Sequence, residues 1–477
     1  MLFRSEKRML NYDVVIIGGG IGGLCSAYKL IKEKPTLRIA VIDKGHLLTE
    51  RKCPAQTIGK CIHCQTCSIT TGFAGAGAFS DGKFNLGIAY GGTLGEELGK
   101  DKAMSYINEL DIILKQFALA NNIEYPNIYE SNKDLKEKCE NNNLTLLDMN
   151  VRHLGTDRNF NIMTAFISWL QQAGISFFDM TEADSVDVYA DGTIAVRTFQ
   201  NLKAIGMYTK KLIIATGRAG GNFLTRFCKN YDIPVTSNKV DIGVRVELKD
   251  ETWAEFSDKI YEPKILYKTP TFWDNTRMFC FNKQGFVASE SNNNIITANG
   301  HSYGDMDKKS DNCNFAILSS IKFTEPFDSP IEYCENLSKL ANDIGDNNVL
   351  VQRFGDLIRG RRTTQERLKA NTIIPTLKAT PGDIGLVLPY RILTNIIETI
   401  YALDRVAKGT ANDDTLLYAC ESKYYSVRPS MTKEFKLKND KKDFDIYCIG
   451  DGSGITRGLS QAGAMGLYVA DCILKGE

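Results

Sequence analysis

The hydrophobic pattern near the N-terminal end of the chain predicts a strand, a turn, a helix and a second strand. The apolar run Val14–Ile17 has the length of a strand and leads directly into a glycine-rich segment at 18–23. Residues 24–32 have helical character, and the apolar run at 37–42 ends in the acidic residue Asp43. Strand, helix and strand in this order predict a β-α-β unit with parallel strands.

The later segments show the same two kinds of apolar pattern, one typical of helices and one typical of strands. Helices are predicted at 103–121, 151–173 and 460–473, and residues 175–199 alternate as a small β-meander would. Between about 240 and 395, β-type segments rich in Tyr, Phe and Trp predominate. The pattern therefore predicts an α/β chain with an inserted β-rich α+β region.

The glycine spacing gives the first unit a chemical role. Gly18, Gly20 and Gly23 allow, in turn, a tight turn, a close approach of backbone to a pyrophosphate, and close packing of helix on strand. The N-terminus of the following helix offers unpaired N–H groups and a partial positive charge to phosphates. Asp43 lies 25 residues after Gly18, where a carboxylate can accept hydrogen bonds from the adenosine ribose. The unit predicts a dinucleotide site.

Two later strand ends indicate which dinucleotide is bound. The segment 445–454 is an apolar strand that stops at a Gly-Asp pair, and it resembles the second flavin motif of FAD oxidoreductases, in which the acid holds the ribityl chain. The helix at 460–473 would direct its N-terminus at the flavin N1/C2 carbonyl region, where negative charge develops on reduction. The segment 211–218 resembles the Ala-Thr-Gly strand end that borders the flavin site in the same superfamily. Together these motifs favour FAD over NAD.

Composition narrows the function classes further. The 477 residues suit two or three domains, or one discontinuous domain with an insertion, and 43% hydrophobic with 24% charged residues is ordinary for a soluble protein. A formal net charge of +1 provides no electrostatic basis for binding nucleic acid. Neither an apolar stretch of roughly 18 residues nor a secretory signal is evident, so we expect a cytoplasmic protein without a membrane partner.

A cluster of cysteines suggests a metal. Four of the thirteen cysteines lie within 15 residues, as Cys53, Cys61, Cys64 and Cys67. The CxxCxxC spacing lets three thiolates face one cubane, and ferredoxins use the same step with a Cys-Pro as the remote ligand. The sequence leaves open a 4Fe–4S cluster, a zinc ion or no metal. The small-residue segment 71–83 that follows is expected to approach the cofactor closely.

The combined motifs make the chain similar to the poorly characterised FAD-dependent dehydrogenases of bacteria and archaea. The matching segments are GGGIGG at 18–23, GFAGAGAFSDGKFN at 72–85, VDIGVRVE at 240–247, FCFNKQGFV at 279–287, NGHS at 299–302, GDGSG at 450–454 and GLSQAGAMG at 458–466. The resemblance implies an α/β flavoprotein related to the glutathione-reductase and hydroxybenzoate-hydroxylase folds, with a discontinuous Rossmann-type FAD-binding domain. It supplies no substrate.

The expected domain division follows from these motifs. The FAD-binding domain would comprise 10–100, which includes the cysteine loop 53–67, together with 151–240 and 420–477. A helical excursion at 101–150 and a substrate domain at 241–419 would interrupt it. The residues expected to contact the cofactor are Gly18, Gly20, Gly23, Asp43, Lys44, Gly75, Gly77, Ser80, Asp81, Thr216, Gly217, Gly450, Asp451, Gln461 and Ala462.

Two residues of the substrate domain are candidates for catalysis. His301, one of four histidines, follows a predicted strand in a polar turn, where its side chain could face a pocket or the surface. Arg245 alternates on a predicted strand, so it could bind a substrate carboxylate or pair with Glu247 on the same face. Cys280, between two phenylalanines, is expected in the core.

These observations predict an FAD-dependent oxidoreductase that exchanges a hydride with a small-molecule substrate. A second GxGxxG unit for a nicotinamide domain is absent from the sequence, so electrons would come from transiently bound NAD(P)H, from a ferredoxin-like partner, or from the substrate. The alternative is an iron–sulfur flavoprotein that passes single electrons between such a carrier and FAD. A flavin-dependent RNA-modifying protein is a third reading, against which the neutral charge argues.

Overall fold

The computed structural model of the chain describes residues 8–58, 62, 64–148, 150–200, 203–236, 240–292, 295–303, 305–323, 329–424, 426–439 and 444–476. These residues form two compact units. Unit 1 consists of the described residues within 1–126, 158–238 and 425–477, and unit 2 of those within 127–157 and 239–424. Among the described residues, no helix combines the length and the hydrophobicity that crossing a bilayer requires.

The α-helices of the described residues are α1 Ile21–Glu33, α2 Ala55–Ile58, α3 Leu94–Leu98, α4 Lys100–Ala120, α5 Lys133–Glu140, α6 Thr156–Gln172, α7 Gly221–Asn230, α8 Ala254–Ile260, α9 Pro330–Ile344, α10 Phe354–Ile358, α11 Gln365–Lys369, α12 Tyr390–Asp404 and α13 Leu459–Lys475. The strands are β1 Arg8–Asn11, β2 Val14–Ile17, β3 Ile39–Ile42, β4 Lys83–Asn85, β5 Ile128–Tyr129, β6 Thr145–Leu146, β7 Val151–His153, β8 Ser176–Phe178, β9 Thr181–Val188, β10 Ile194–Gln200, β11 Lys203–Thr209, β12 Lys211–Ile214, β13 Val235–Thr236, β14 Val240–Lys249, β15 Ile265–Lys268, β16 Asn275–Asn282, β17 Phe286–Asn292, β18 Ile295–His301, β19 Asn312–Ile321, β20 Leu350–Arg353, β21 Thr380–Pro381, β22 Leu416–Tyr424, β23 Arg428–Pro429 and β24 Ile446–Cys448.

A five-stranded sheet forms the centre of unit 1. Its strand order is β24-β12-β2-β3-β8, and every neighbouring pair is parallel. Strands β2 and β3 are buried along their whole length, as continuous apolar runs in a parallel sheet require. The sheet therefore joins strands from both ends of the chain, because β24 lies more than 400 residues after β2.

Helices α1 and α13 pack together at unusually short range. A Cβ at Gly466 would lie 2.2 Å from the carbonyl oxygen of Gly22, so a glycine is required where the two helices meet. The hydroxyl of Ser26 donates to the carbonyl oxygens of both Gly22 and Gly466, at 3.0 and 2.9 Å. This contact attaches the C-terminal helix directly to the glycine-rich turn.

A second sheet of unit 1 has the order β1-β11-β10-β9, in which β1 is parallel to β11 and the other pairs are antiparallel. Apolar residues of the two sheets form one core, among them Val15, Ile214, Val196 and Met207, all at most 1% exposed. The burial of each such side chain stabilises the folded state by roughly 1.5–3 kcal/mol. The core fixes the parallel sheet from one side.

Unit 2 is built around an eight-stranded sheet of order β21-β20-β22-β14-β19-β16-β15-β6. Its central strand β14 pairs antiparallel with β19 and β22. The alternation of β14 is regular, with apolar residues at the even positions and Asp241, Arg245 and Glu247 at odd positions. Such alternation normally indicates one solvated face, yet every residue from Val240 to Leu248 is buried.

The hairpin β17–β18 explains how the polar face of β14 is covered. Gly300 of β18 lies so close to this face that a Cβ there would be 2.2–2.6 Å from Asn314 Oδ1, Arg245 Nη2 and Asn282 Nδ2. The register pairs Phe286 with His301 along the hairpin. A layer of polar groups is thus enclosed within unit 2.

Most predicted elements are confirmed, and two differ. Helices α4 and α13 agree with the predictions at 103–121 and 460–473 within a few residues. The predicted helix at 151–173 is wrong at its start, because Val151–His153 is a strand and Gly155, with φ of +82°, separates it from α6. In the predicted meander, Ser176–Phe178 instead joins the parallel sheet beside β3.

Candidate functional site

The carboxyl ends of four parallel strands lie along one edge of the unit 1 sheet. The amide of Gly18 donates to Ile42 O at 2.8 Å, that of Ala215 to Ile17 O at 2.7 Å, and that of Ile449 to Ile214 O at 2.9 Å. The segments that follow β2, β3, β12 and β24 therefore begin at the same edge. Ligands of open α/β sheets bind in the crevice outside this edge.

The glycine-rich turn contains two glycines that the protein itself requires and one that it does not. Gly18 has φ of +111°, and a Cβ there would lie 2.2 Å from Ala215 O. A Cβ at Gly23 would lie 2.1 Å from Gly18 O. A Cβ at Gly20 would meet no atom of the described residues within 4 Å. The space above Gly20 is therefore open, as a site for a bulky ligand would be.

The N-terminus of α1 adjoins that open space. The helix begins at Ile21, and its N-cap residue Gly20 supplies no side-chain hydrogen bond. The first N–H groups of a helix have no intrahelical acceptor and carry a partial positive charge. An anion above Gly20 could accept hydrogen bonds from these amides.

Asp43, at the end of β3, is hydrogen-bonded to the glycine-rich turn. Its two carboxylate oxygens accept hydrogen bonds from the amides of Gly19 and Gly45, at 2.8 and 2.9 Å. Burial raises the pKa of the Asp43 carboxyl, and the two amides and the charges of Arg51 and Lys44 oppose that rise. The side chain stays partly exposed, and each oxygen keeps a further lone pair that a ribose hydroxyl could use.

The segment 71–83 packs against the glycine-rich turn, where the sequence predicts it. The amide of Ala74 donates to Gly19 O at 2.8 Å, and the ring of Phe73 covers Gly19. A Cβ at Gly75 would lie 3.2 Å from Gly20 Cα. The backbone of this segment thus forms one wall of the open space.

The second half of the same segment contacts other parts of unit 1. A Cβ at Gly77 would lie 2.2 Å from Leu459 Cδ2, at the start of α13, and Asn159 of α6 donates to Gly77 O at 2.8 Å. Ser80 donates to Gly77 O at 2.7 Å. Asp81 forms a buried ion pair with Lys83 at 2.8 Å. These side chains have protein partners, so their contribution is to shape the loop.

The strand end after β12 leaves one polar atom without a partner. Thr216 Oγ1 is buried and has no hydrogen-bond partner in the part of the chain that the structure describes. Gly217 follows with φ of +60°, in the left-handed region that glycine tolerates. Buried hydroxyls nearly always have a partner, so a ligand or water is expected at Thr216.

The last strand end brings Asp451 to the same edge. Gly450 has φ of +71°, and Asp451 accepts a hydrogen bond from Thr456 Oγ1 at 2.7 Å. Burial raises the pKa of Asp451, while the Thr456 hydrogen bond and the charges of Arg218 and Arg457 act in the opposite direction. The carboxylate is partly exposed and can accept further hydrogen bonds.

The residues predicted at the start of α13 lie beside α1. The carbonyl of Ala462 is 3.1 Å from the position a Cβ would take at Gly22. The side chain of Gln461 donates from Nε2 to Tyr90 O at 2.9 Å, and its Oε1 accepts from the backbone N–H of Leu94 at 3.2 Å. Both ends of the Gln461 side chain are therefore used to hold the loop at 90–94.

The sequence interpretation missed Arg51, which lies beside this site. Its guanidinium is buried and donates to four backbone carbonyls in the segment 68–75. Burial lowers the pKa of Arg51 to about 10, so it remains protonated at neutral pH. A lone arginine before a cysteine loop carries no recognisable spacing, so its sequence gives no signal for this role.

The cysteine loop is described in part. Cys61 lies outside the described residues, while Cys53, Cys64 and Cys67 are partly exposed and form no disulfide among described cysteines. Among the described residues, His46, Glu50 and Asp179 bring three metal-ligating atoms within 4.8 Å of one another, and no group of three cysteines does so. The described geometry therefore does not support a 4Fe–4S cluster or a zinc site at these cysteines.

In unit 2 Arg245 lies in the enclosed polar layer, and His301 follows Gly300 on β18 and is partly exposed. Arg245 is fully buried, and its Nη1 lies 3.6 Å from an oxygen of the equally buried Glu421. The alternative pairing with Glu247 is not observed, because Glu247 accepts hydrogen bonds from Thr376, Tyr418 and Asn312. Register explains the difference, since a bulge in β22 between the partners of Gly243 and Arg245 brings Glu421 to this face.

The surroundings of His301 favour the neutral form of its imidazole. Burial and the charge of Arg245 lower the pKa of His301, and Nδ1 has no hydrogen-bond partner among the described residues. Phe286 stacks on the ring at 5.8 Å between centroids, and Tyr303 packs edge-on at 5.0 Å. A neutral histidine with an available nitrogen can accept a proton.

The prediction that Cys280 lies in the core is wrong. It is partly exposed, and Arg245 donates to its carbonyl oxygen at 3.3 Å and contacts its sulfur at 3.5 Å. Its φ of +56° turns the end of β16 out of the regular ladder, which explains why the flanking phenylalanines are more deeply buried than the cysteine.

Comparisons with known proteins give one family match, which lies in unit 2, and several similar solved structures. Residues 240–424 match the family described as "FAD-dependent protein, C-terminal domain-like". No curated protein matches the chain. Solved structures with a related course of the chain include L-proline dehydrogenase from P. horikoshii, at 14% identity and a TM-score of 0.43, with 98% of this chain and 94% of that chain covered. L-α-glycerophosphate oxidase from Mycoplasma pneumoniae has 13% identity and a TM-score of 0.43, with 98% and 95% covered.

The match at 240–424 falls within unit 2, whose larger segment is 239–424. It agrees with the resemblance carried by VDIGVRVE, FCFNKQGFV and NGHS, all of which lie in this range. The resemblance to FAD-dependent proteins is confirmed there. Residues 240–424 of this chain are therefore similar to the C-terminal domain of FAD-dependent proteins.

Proposed function

We propose that the chain is an FAD-dependent oxidoreductase that exchanges a hydride with a small-molecule substrate. Unit 1 is the discontinuous Rossmann-type FAD-binding domain, and unit 2 is the substrate domain. The observation that carries the proposal is the edge of the parallel sheet, where the glycine-rich turn, Asp43, Thr216 and Asp451 follow four adjacent strands. The family match at 240–424 supports the same cofactor.

The residues of this edge suit the parts of FAD. The amides at the N-terminus of α1 would hold the pyrophosphate above Gly20, and Asp43 would accept hydrogen bonds from the adenosine ribose. Asp451 would hold the ribityl hydroxyls, and Thr216 would donate to the cofactor through its unpartnered hydroxyl. Bound FAD supplies the hydride-accepting ring, and the protein binds and orients it.

The polar layer of unit 2 supplies the candidate catalytic groups. Arg245 provides a buried positive charge that could bind a substrate carboxylate, and His301 provides a neutral imidazole that could accept a proton. The electron donor or acceptor is NAD(P)H or a ferredoxin-like protein. The second route would make the chain an iron–sulfur flavoprotein, and it depends on a cluster at Cys53, Cys61, Cys64 and Cys67.

The test is a purification under anaerobic conditions followed by an absorbance spectrum, identification of the released flavin, and iron and zinc analysis on one sample. We expect a flavin spectrum with about one FAD per chain. Iron at about four atoms per chain would move the assignment to the iron–sulfur alternative. A chain that neither retains FAD nor binds added FAD would contradict the proposal.

A further inference from the structure

The buried side chain of Arg51 makes four hydrogen bonds beside the candidate site. It directly follows the short 3₁₀ turn Leu48–Glu50, beyond the loop that contains Asp43. Its side chain is 4% exposed, and four N–H···O bonds run to carbonyl oxygens of one neighbouring segment. A guanidinium is suited to this task because its five donors have a fixed, planar geometry.

The four acceptors lie on both sides of a bend. Nε donates to Ser68 O at 2.8 Å and Nη2 to Ile69 O at 2.7 Å, just after Cys67. Nη1 donates to Phe73 O at 2.7 Å and to Gly75 O at 2.8 Å. One side chain therefore holds the end of the cysteine loop and the glycine-rich segment in a fixed relation.

The charge of Arg51 has no carboxylate partner at ion-pair distance among the described residues. Carbonyl oxygens and the ring of Phe79, 4.8 Å from the guanidinium carbon, surround it instead. Burying a charge costs free energy unless hydrogen bonds offset the loss of water. An apolar side chain would avoid this cost but would leave four carbonyls without donors.

The segment that Arg51 holds is the one that forms a wall of the open space at Gly20. Gly72 has φ of +122°, and a Cβ there would lie 2.9 Å from Arg51 Cδ, so a glycine is required where the arginine crosses the loop. Beyond Gly72, Ala74 donates to Gly19 O and Gly75 approaches Gly20. Contacts thus connect Arg51 to the dinucleotide turn through one short loop.

We propose that Arg51 is a positioning residue that sets the affinity for FAD by holding residues 68–75 against Gly19 and Gly20. The proposal rests on the proposed function, since it concerns the same cofactor. Arg51 acts through the loop. The geometry of its donors, and not its charge by itself, is the property that matters.

The decisive variant is Arg51→Lys, which keeps the charge but cannot donate to both sides of the bend from a single nitrogen. The dissociation constant for FAD is measured by fluorescence titration of the apoprotein, and the melting temperature of the apoprotein is measured in parallel. We expect FAD to bind about 10- to 100-fold more weakly, because two or three hydrogen bonds are lost. Gly72→Ala keeps the arginine at position 51, but the added methyl group would displace its side chain. This variant should therefore weaken FAD binding in the same way.

Met207→Ala is the matched control. Met207 is fully buried in the second sheet of unit 1, so its truncation lowers the melting temperature without altering the loop. Its FAD affinity should stay within about 3-fold of the wild type, since the core cluster that contains Met207 includes no residue of the segment 68–75. An equal loss of affinity in this variant would show that general destabilisation accounts for the effect, and the proposal would be wrong.

A chemical rescue adds a readout independent of melting temperature. In Arg51→Ala, methylguanidinium at millimolar concentration should restore part of the FAD affinity, while methylammonium should not. Wild-type FAD affinity in both Arg51→Lys and Gly72→Ala would overturn the proposal. A wild-type apoprotein that does not bind FAD would instead overturn the proposed function, so the two failures are distinct.

Discussion

At the scale of single residues, the glycines of the first turn differ in what they do. Gly18 and Gly23 are required because backbone atoms occupy the places where their Cβ atoms would lie, whereas Gly20 faces open space. The GxGxxG pattern contains all three, but it does not separate glycines needed by the fold from one needed by a ligand. The structure makes that separation testable.

The variants Gly20→Val and Gly18→Ala should therefore behave differently. Gly20 has an extended conformation that valine adopts readily, so Gly20→Val should leave the melting temperature of the apoprotein nearly unchanged and prevent FAD binding by occupying the pyrophosphate space. Gly18→Ala should lower the free energy of unfolding by about 1–3 kcal/mol, because of its positive φ and a backbone clash. Thermal unfolding and FAD titration of both variants check this. Full FAD occupancy in Gly20→Val would contradict the site.

His301 gives a prediction about pH. Its pKa in the folded chain is lowered below the ordinary value of 6.5, so folding favours the neutral imidazole. Its contribution is then fully present above 6.5 and is lost as the pH falls through 6.5 towards the lowered pKa. Compared with His301→Gln, the wild type should lose stability between pH 7 and 5. Urea unfolding of both proteins across this range measures the difference, and parallel pH profiles would refute the neutral assignment.

At the scale of elements, β14 shows how a strand can have polar and apolar faces and no solvated face. The polar face holds Arg245 and Glu247 and is covered by β18, where Gly300 permits close approach. Neither carboxylate oxygen of Glu421 has a hydrogen-bond partner within the described part of the chain, although Arg245 and Lys423 lie 3.6 Å away. Strand β14 is therefore held by electrostatic attraction as well as by its backbone hydrogen bonds to β19 and β22.

This arrangement predicts strong coupling between Arg245 and Glu421. Glu421→Leu should cost about 3–5 kcal/mol of unfolding free energy, because it leaves the buried guanidinium without its partner. The double variant Arg245→Met with Glu421→Leu should be more stable than the sum of the single changes implies. Equilibrium urea unfolding of the four proteins gives the coupling energy. Additive changes would mean that the pair is not energetically linked.

The double variant also separates stability from chemistry. If Arg245 binds the substrate, the double variant should remain folded and retain FAD, yet lose turnover with any substrate that the wild type accepts. Retention of wild-type turnover would remove Arg245 from the catalytic proposal without affecting the proposed FAD site.

At the scale of the whole molecule, unit 1 is assembled from three separate stretches of chain. Strands from residues 14, 39, 176, 211 and 446 onwards form one parallel sheet, and α13 packs on α1. The glycine-rich turn and the strand end at Asp451 lie at opposite ends of the sequence and at the same edge of the sheet. A parallel sheet brings them together because its carboxyl ends point one way.

A metal cluster in the cysteine loop would change the electron route that we propose. A cluster at these cysteines would require Cys64, so Cys64→Ser should remove bound iron and any charge-transfer absorbance beyond that of flavin. Cys139→Ser is a matched control, because Cys139 is buried in α5 of unit 2. Equal iron content in the wild type and Cys64→Ser would exclude a cluster ligated there. Iron lost from both variants would indicate unspecific binding.

Several features could be predicted from the sequence because their causes are local. Continuous apolar runs require a buried strand, and glycines at fixed spacing require a tight turn before a helix. Strands β2, β3 and β24 and helices α1, α4 and α13 are found where these patterns predict them. The start of α6 was not predictable in this way, because the preceding residues Val151–His153 form a strand, in which Arg152 pairs with Ile128.

The sequence by itself determined the order of the cofactor motifs and the chemical types of residue at each strand end, because steric and periodic constraints act over a few residues. Only the tertiary structure decided which groups the buried polar side chains contact. Arg51 donates to backbone carbonyls such as Phe73 O, and Glu421 lies beside Arg245 as its counter-ion. Strand β18 covers the polar face of β14. Each of these depends on segments that are distant along the chain and meet only when sheets, bulges and loops have packed, so no local pattern encodes them.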